Sequence, residues 1–138
     1  MTHHTGGCYC GAVRYETSGD AMFKAQCHCR ECQYLTGGGP NFFMLMTGEG
    51  FSYTQGAPKQ FKRADLDDPV TREFCADCGT HLVTLNPRRG GHVIVKVGTL
   101  DDPSGAYGGP AAAIYTCDQQ PFHTVAEGLP CFEKLPPR

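Results

Sequence analysis

The sequence predicts a mainly β protein that folds as a single domain, and three observations support this prediction. Its 138 residues match the size of one common domain, which is long enough to bury a single core. Short segments rich in β-branched and aromatic residues alternate with Gly, Pro, Asp and Asn, as strands alternate with turns. No repeat, linker or low-complexity stretch interrupts the chain, so we expect one compact domain.

Seven segments have the composition of strands and end at turn residues. In chain order they are AVRYET (12–17), NFFMLM (41–46), FSYTQ (51–55), KQFKR (59–63), HLVTL (81–85), HVIVKVG (92–98) and AAAIYT (111–116). Within HVIVKVG, alternation places Val93, Val95 and Val97 on one face and Ile94 and Lys96 on the other. The valine face is therefore predicted to be core, and the opposite face to be mixed.

Helix is expected in one place. The segment RECQYLTG after Cys29 allows one or two turns before the run Gly37–Gly39 and Pro40 end them. The rest of the chain is left to strands and turns.

The charge of the chain excludes two classes of partner. The formal net charge is -2, and the 12 Lys and Arg residues are scattered without a run, so we expect no nucleic-acid surface and no polybasic membrane patch. The start of the chain lacks the pattern of a secretory signal, and no apolar stretch approaches the ~20 residues that span a membrane. We therefore expect a cytoplasmic protein with reduced thiols and a small soluble partner.

Seven of the nine cysteines are clustered, in the motifs CYC, CHCREC and FCADCGT. These seven are Cys8, Cys10, Cys27, Cys29, Cys32, Cys75 and Cys78. In a reducing compartment such clusters indicate metal sites, because a zinc ion gathers thiolates at ~2.3 Å and short spacings supply two from one turn of chain. Cys117 and Cys131 stand alone and are interpreted as small buried hydrophobes or surface thiols.

Seven thiolates divide naturally into four and three. A structural zinc takes four protein ligands, whereas a catalytic zinc keeps three and leaves one position open. The two doublets, Cys8 with Cys10 and Cys75 with Cys78, would then form the closed site and the triplet Cys27, Cys29 and Cys32 the open one.

Two other divisions remain open on spacing alone. The pairs Cys29/Cys32 and Cys75/Cys78 have equal spacing and would make a ribbon-like site. Alternatively, His28 would close the triplet, although a residue between two ligands tends to face away from the metal.

The cysteine motifs resemble those of the glutathione-dependent formaldehyde-activating enzyme family, also called the centromere protein V family. The resemblance lies in GGCYCGAVRYE, CHCRECQYLTGG, FCADCGTHLV and VKVGTLDDP, from about Gly6 to Pro103, and continues more loosely through QPFHTVAEGLPCFEKLP. It implies a β-tent fold with two zinc ions per chain, in one domain over residues 1–138 with its core at about 6–135. By the family pattern, the two doublets correspond to the structural site and the triplet to the activity-associated site.

The resemblance implies a carbon-sulfur lyase that adds glutathione to formaldehyde, giving S-hydroxymethylglutathione. A zinc with three thiolates is a poor Lewis acid for a carbonyl, but it suits a substrate thiol, whose pKa falls on binding so that a thiolate nucleophile is available near neutral pH. The alternative hypothesis is a non-catalytic binding module with two structural zincs, serving a macromolecular partner or an unidentified ligand.

Substrate contacts are harder to predict than metal ligands. Glutathione carries two carboxylates, and Arg30, inside the triplet loop, is the first candidate to bind one. Arg63 and Arg72 are weaker candidates. The glycine run after the helix offers backbone amides to an anion, whereas His28 and Thr36 are expected to bond the backbone of their own loop.

Overall fold

The computed structural model describes residues 2–137 of the chain. Strands dominate this part: β1 His3–Gly7, β2 Arg14–Ser18, β3 Phe23–Cys27, β4 Asn41–Thr47, β5 Phe51–Gln55, β6 Lys59–Phe61, β7 Thr71–Phe74, β8 His81–Leu85, β9 His92–Lys96 and β10 Ala112–Ile114. Helix is limited to α1 Arg30–Thr36, α2 Pro103–Tyr107 and short 3₁₀ turns at Pro87–Arg89, Val97–Thr99 and Thr116–Asp118. The predicted mainly β class is confirmed.

The described strands form two sheets. The smaller sheet has the order β1-β2-β5, and the larger has the order β10-β3-β4-β9-β8-β7-β6. Neighbouring strands in the larger sheet are antiparallel, apart from β10, which runs parallel to β3. The smaller sheet contacts the segment after β9, where Gly6 bridges to Leu100. A Cβ atom at Gly6 would clash with the Tyr15 ring and the Thr99 carbonyl, so only glycine allows this close approach.

The central strands of the larger sheet are buried on both faces, whereas β6 at its edge is exposed. The first core contains Tyr15, Met44, Met46, Leu82 and Val95, all at most 1% exposed. The second core lies around β3, β4 and β10 and is made of Ala25, Cys27, Cys32, Phe43, Ala112 and Ile114. The cysteine triplet is thus built into a hydrophobic core.

The prediction for β9 is confirmed on one face and corrected on the other. Val93 and Val95 are buried in the first core, as alternation predicted. The opposite face is also covered, because Ile94 packs against the second core and Lys96 is only 9% exposed. The lysine in this strand suggested a face partly exposed to solvent. In the structure, α1 and the segment after β10 cover that face.

The segment after β10 closes one edge of the larger sheet. The backbone of Ala113 bonds to Pro130 and Phe132, and the Tyr115 amide donates to the Lys134 carbonyl. These bonds satisfy backbone groups that an open edge would leave for another chain. No helix in residues 2–137 is long and apolar enough to cross a membrane.

Candidate metal centres

Four cysteines come together where the two sheets meet. The thiols of Cys8, Cys10, Cys75 and Cys78 all lie within 4.8 Å of one another. The first two lie in the turn between β1 and β2, and the other two lie in the turn between β7 and β8. The structure therefore brings together the two doublets that ligand counting combined, whereas the pairs Cys29/Cys32 and Cys75/Cys78 of the ribbon-like alternative lie in separate groups.

Both turns are shaped to direct sulfur atoms inward. The amide of Val13 donates to Cys8 Sγ at 3.2 Å, and the Gly79 amide donates to the Cys75 carbonyl at 2.8 Å. Gly79 has a φ of +79°, which an L side chain rarely adopts. Tyr9, between the first two cysteines, points outward and is 94% exposed.

The spacing of the four thiols fits a tetrahedral metal ion. Zinc-thiolate bonds of about 2.3 Å place neighbouring sulfurs about 3.8 Å apart in a tetrahedron. The Cys8 and Cys10 sulfurs are 3.6 Å apart, and those of Cys10 and Cys75 are 3.8 Å apart. Four sulfurs at this separation match a closed zinc site.

The second group is the triplet Cys27, Cys29 and Cys32, whose thiols also lie within 4.8 Å of one another. Cys27 ends β3, Cys29 caps the amino end of α1, and Cys32 lies in the first turn of that helix. Cys29 Sγ accepts the Cys32 amide at 3.3 Å and lies 3.1 Å from Cys32 Sγ. Gly37, with a φ of +85°, ends the helix, so the predicted one or two helical turns are confirmed.

The triplet needs a cation to hold three thiolates. Hydrogen bonds with Cys29 and Cys32 raise the pKa of the Cys27 thiol. The hydrogen bond between Cys27 and Cys29 has the opposite effect on Cys29, whose pKa it lowers. Three ionised sulfurs in a buried cluster repel one another. A divalent ion bound at their centre removes that conflict, so the donor set fits zinc.

His28 does not belong to the triplet, because its ring is held on the other side of the loop. Gln26 Nε2 donates to His28 Nε2 at 3.0 Å, so a neutral His28 carries its proton on Nδ1 and donates to His123 Nδ1 at 2.9 Å. His123 Nε2 then donates to the Gly38 carbonyl at 2.6 Å. Burial lowers the pKa of His28, which agrees with the neutral form.

No fourth protein ligand joins the triplet within residues 2–137, since the group of close donors contains three thiols and no His, Asp or Glu. By contrast, the first group is complete with four. The two groups therefore differ in the way that closed and open zinc sites differ.

Cationic groups lie near the triplet. The most buried of them, Lys96, was not predicted from the sequence to belong to the site. Burial lowers the pKa of Lys96 to about 8, while the thiols of the triplet act in the opposite direction. The Arg72 side chain is 11% exposed and pairs with Glu31 at 3.5 Å. The positive charge of Arg72 further lowers the pKa of Cys29.

The three arginines predicted to contact the substrate lie in different surroundings. The exposed Arg30 stacks on Tyr34, 5.0 Å from the ring centre, and its guanidinium donates to Gln33. Arg63 pairs with Asp65 in the loop after β6, at 2.6 Å. Arg63 and Arg72 both line a shallow hollow beside α1, together with Phe61, Leu66, Pro69, Val70 and Glu31. The structure thus places Arg63 and Arg72 at the hollow beside α1 and Arg30 in the first turn of that helix.

The remaining residues of the loop bond their own backbone. Thr36 Oγ1 donates to the Gly39 carbonyl at 2.6 Å, as the sequence predicted. Cys117 and Cys131 are exposed and stand outside both cysteine groups, which matches the interpretation as surface thiols.

Two comparisons with known proteins each cover most of this chain. A family model described as "Glutathione-dependent formaldehyde-activating enzyme" matches residues 3–118, which is most of the chain. The crystal structure of a protein from Rhodobacter sphaeroides is similar, with a TM-score of 0.58 and 17% sequence identity, over 70% of this chain and 87% of that chain. At 17% identity, the similarity to the Rhodobacter sphaeroides structure concerns the fold alone.

Proposed function

This chain belongs to the glutathione-dependent formaldehyde-activating enzyme family, and from that premise we propose that it is a zinc-dependent carbon-sulfur lyase. In this proposal, the triplet Cys27, Cys29 and Cys32 binds a thiol such as glutathione and the protein adds it to formaldehyde or a similar small aldehyde. Cys8, Cys10, Cys75 and Cys78 hold a second, structural zinc. The protein works in a reducing, cytoplasmic setting that keeps its thiols free.

One observation carries the proposal: the triplet is a group of three close thiols, and His28, the imidazole that lies between two of them in the sequence, is bonded elsewhere. His28 is fixed by Gln26 and His123, so it cannot swing to the metal without breaking two buried hydrogen bonds. When bound, a zinc ion at the triplet supplies a fourth coordination position that lowers the pKa of a substrate thiol.

The reaction itself needs little from the protein beyond position and charge. A sulfur-carbon bond forms, the carbonyl π bond breaks, and the proton lost by the thiol ends on the new hydroxyl oxygen. Formaldehyde is electrophilic enough to react with a thiolate directly, so the gain comes from holding the two reactants together. The role of the chain is to hold the ionised sulfur at the surface of the second core.

The arginines near the triplet suit the carboxylates of glutathione. Arg72 and Arg63 face the hollow beside α1, and Arg30 extends from the first turn of that helix. Carboxylates bind arginine through charge-assisted hydrogen bonds, frequently in pairs. We assign Arg30 the first of these contacts, as the sequence suggested, and Arg72 the second, since its side chain is already held against Glu31.

The proposal is tested by the rate at which glutathione and ¹³C-formaldehyde form the hydroxymethyl adduct, measured by exchange spectroscopy with and without the protein. The wild type should accelerate exchange, and Cys29→Ser should not. Cys117→Ser, which alters an exposed thiol outside both groups, is the matched control and should retain the wild-type rate. An unchanged rate with the wild-type protein would favour the binding-module alternative.

A further inference from the structure

Lys96 lies on the face of the larger sheet that carries the triplet. It stands opposite Phe43 on β4, and Phe43 stands opposite Ala25 on β3, two residues before Cys27. Directly opposed residues in antiparallel strands share a face. The Lys96 side chain therefore projects into the second core, where it is only 9% exposed.

No carboxylate neutralises this ammonium. Within residues 2–137, no Asp or Glu oxygen lies within 4.0 Å of Lys96, and its Nζ makes no hydrogen bond to protein. Buried lysines are rarely left unpaired, because removing a charge from water has a high free-energy cost. Within residues 2–137, the carboxylates of the protein therefore provide no partner for the charge of Lys96.

The position of Lys96 identifies the available anions. Cys27 and Cys32 belong to the second core, and Lys96 projects into that core opposite Phe43. The three thiols of the triplet act on Lys96 electrostatically, as does one other cation, Arg72. Arg72 is paired with Glu31, and burial together with the charges of Lys96 and Arg72 lowers the pKa of His81. The sulfurs of the triplet are thus the anionic partners available to Lys96.

The charge balance of the site explains why such a cation is useful. Three thiolates around a divalent ion carry a net charge of about -1, and one ammonium reduces this to about zero. A fourth, incoming thiolate then meets a neutral site instead of a negative one. A neutral ligand gains nothing from the ammonium in this respect.

We propose that Lys96 is a positioning residue that neutralises the three-cysteine site and so makes it select an anionic sulfur ligand over a neutral nitrogen ligand. This inference rests on the proposed function, because it assumes that the triplet accepts a ligand from solution. It extends that function by naming the residue that sets the charge preference of the open position.

The test uses the full-length protein loaded with Co²⁺, whose visible absorption reports each new ligand. 2-Mercaptoethanol and imidazole are titrated separately at fixed pH into wild type and Lys96→Met, a change that keeps the length of the side chain and removes its charge. We expect affinity for the thiol to fall about tenfold or more, since a nearby unit charge in a buried site has at least this effect. Affinity for imidazole should change less than about threefold.

Two further variants separate charge at the site from charge elsewhere. Lys59→Met removes the same charge from an exposed position on β6 and should leave both affinities unchanged. Lys96→Arg should recover most of the thiol affinity. If Lys96→Met fails to fold, Lys96→Gln takes its place with the same expectation. Equal losses for the thiol and imidazole in Lys96→Met, or no loss of either, would overturn the inference.

The same titrations distinguish failure of the proposed function from failure of the inference about Lys96. If neither ligand changes the wild-type Co²⁺ spectrum, the triplet is not an open site and the proposed function fails. The role of Lys96 is then still measured by the Co²⁺ affinity of the triplet itself, obtained by competition with a chromophoric chelator. Because Co²⁺ binding displaces the thiol protons and leaves a site with a net charge of about -1, loss of the ammonium should lower the apparent Co²⁺ affinity at neutral pH about tenfold in Lys96→Met. An unchanged affinity would contradict the inference.

Discussion

The position of His28 shows how a potential metal ligand between two cysteines is kept from binding the metal. Its ring accepts a hydrogen bond from Gln26 and donates one to His123, and its carbonyl accepts from Gln33 Nε2 at 2.9 Å. Each of its polar atoms therefore has a partner away from the thiols. The structure supports the sequence argument that a residue between two ligands faces away from them.

Replacement of His123 tests how much the hydrogen bonds around His28 contribute to the free energy of unfolding. In His123→Ala, the buried Nδ1 proton of His28 loses its acceptor and a cavity forms, so we expect a loss of roughly 2–4 kcal/mol in the free energy of unfolding. Urea denaturation measures this loss. Phe122→Ala, which truncates the neighbouring ring, 71% exposed, should cost less than about 1 kcal/mol. Similar losses in the two variants would contradict the assigned role of His123.

Residues differ in how far sequence alone could place them. The seven clustered cysteines could be grouped because short spacings bring thiols together whatever the rest of the chain does. Lys96 could not be identified, because its burial depends on the register of β3, β4 and β9, which are far apart in the sequence. A lysine in an alternating strand normally marks the solvated face.

Among the elements, α1 was predicted because the glycine run that begins at Gly37 and ends the helix is visible in the sequence. The second helix, α2 at Pro103–Tyr107 with Asp102 as its cap, was not expected, since the sequence analysis placed helix only after Cys29. The strands β1, β3 and β7 have sequences HHTGG, FKAQC and TREF, without the β-branched or aromatic run that indicated the other strands. They become strands because neighbouring strands supply hydrogen-bond partners.

The two cysteine groups should respond differently to loss of a ligand, because they join elements at different distances along the chain. Cys10 and Cys75 are 65 residues apart, so a metal shared by them constrains a long loop and ties the two sheets together. We expect Cys75→Ser to lower the free energy of unfolding by about 4 kcal/mol or more, or to prevent folding.

Cys29→Ser should be much milder, since the triplet lies within six positions and closes almost no chain. Serine also caps a helix well, so α1 should persist. We expect loss of one metal ion and a fall in stability of about 1 kcal/mol or less. Thermal denaturation with metal analysis measures both variants, and an equal collapse in both would disprove the division into a structural and an open site.

At the scale of the whole molecule, the cysteine groups lie in different structural settings. The first group joins the turn of the smaller sheet to the β7-β8 turn of the larger one, whereas the triplet is embedded in the second core. The mainly β class was predictable from composition, and the two cysteine groups were predictable from ligand counting together with the family resemblance. The arrangement of two sheets with the central strands of the larger buried on both faces was not, because it depends on long-range pairing that no local pattern encodes.

Metal content tests this arrangement for the whole chain. Protein purified under reducing conditions should contain about two zinc ions per chain, one for each cysteine group. Because an all-thiolate site also suits iron, elemental analysis must measure both metals. A strong chelator should remove the metal of the triplet first, since its open position admits a competing ligand. A stoichiometry of one metal per chain would refute the division into two sites.

The central claim, that the triplet activates a substrate thiol, is tested most directly by calorimetry of glutathione binding. Because the thiol must ionise to bind, glutathione should release a proton, and its affinity should rise with pH towards the ordinary thiol pKa of about 8.5. S-methylglutathione keeps both carboxylates but has no ionisable thiol, so it should bind at least about tenfold more weakly. Titrations in buffers of different ionisation enthalpy count the protons. Absence of binding by both compounds, or equal binding without proton release, would contradict the claim.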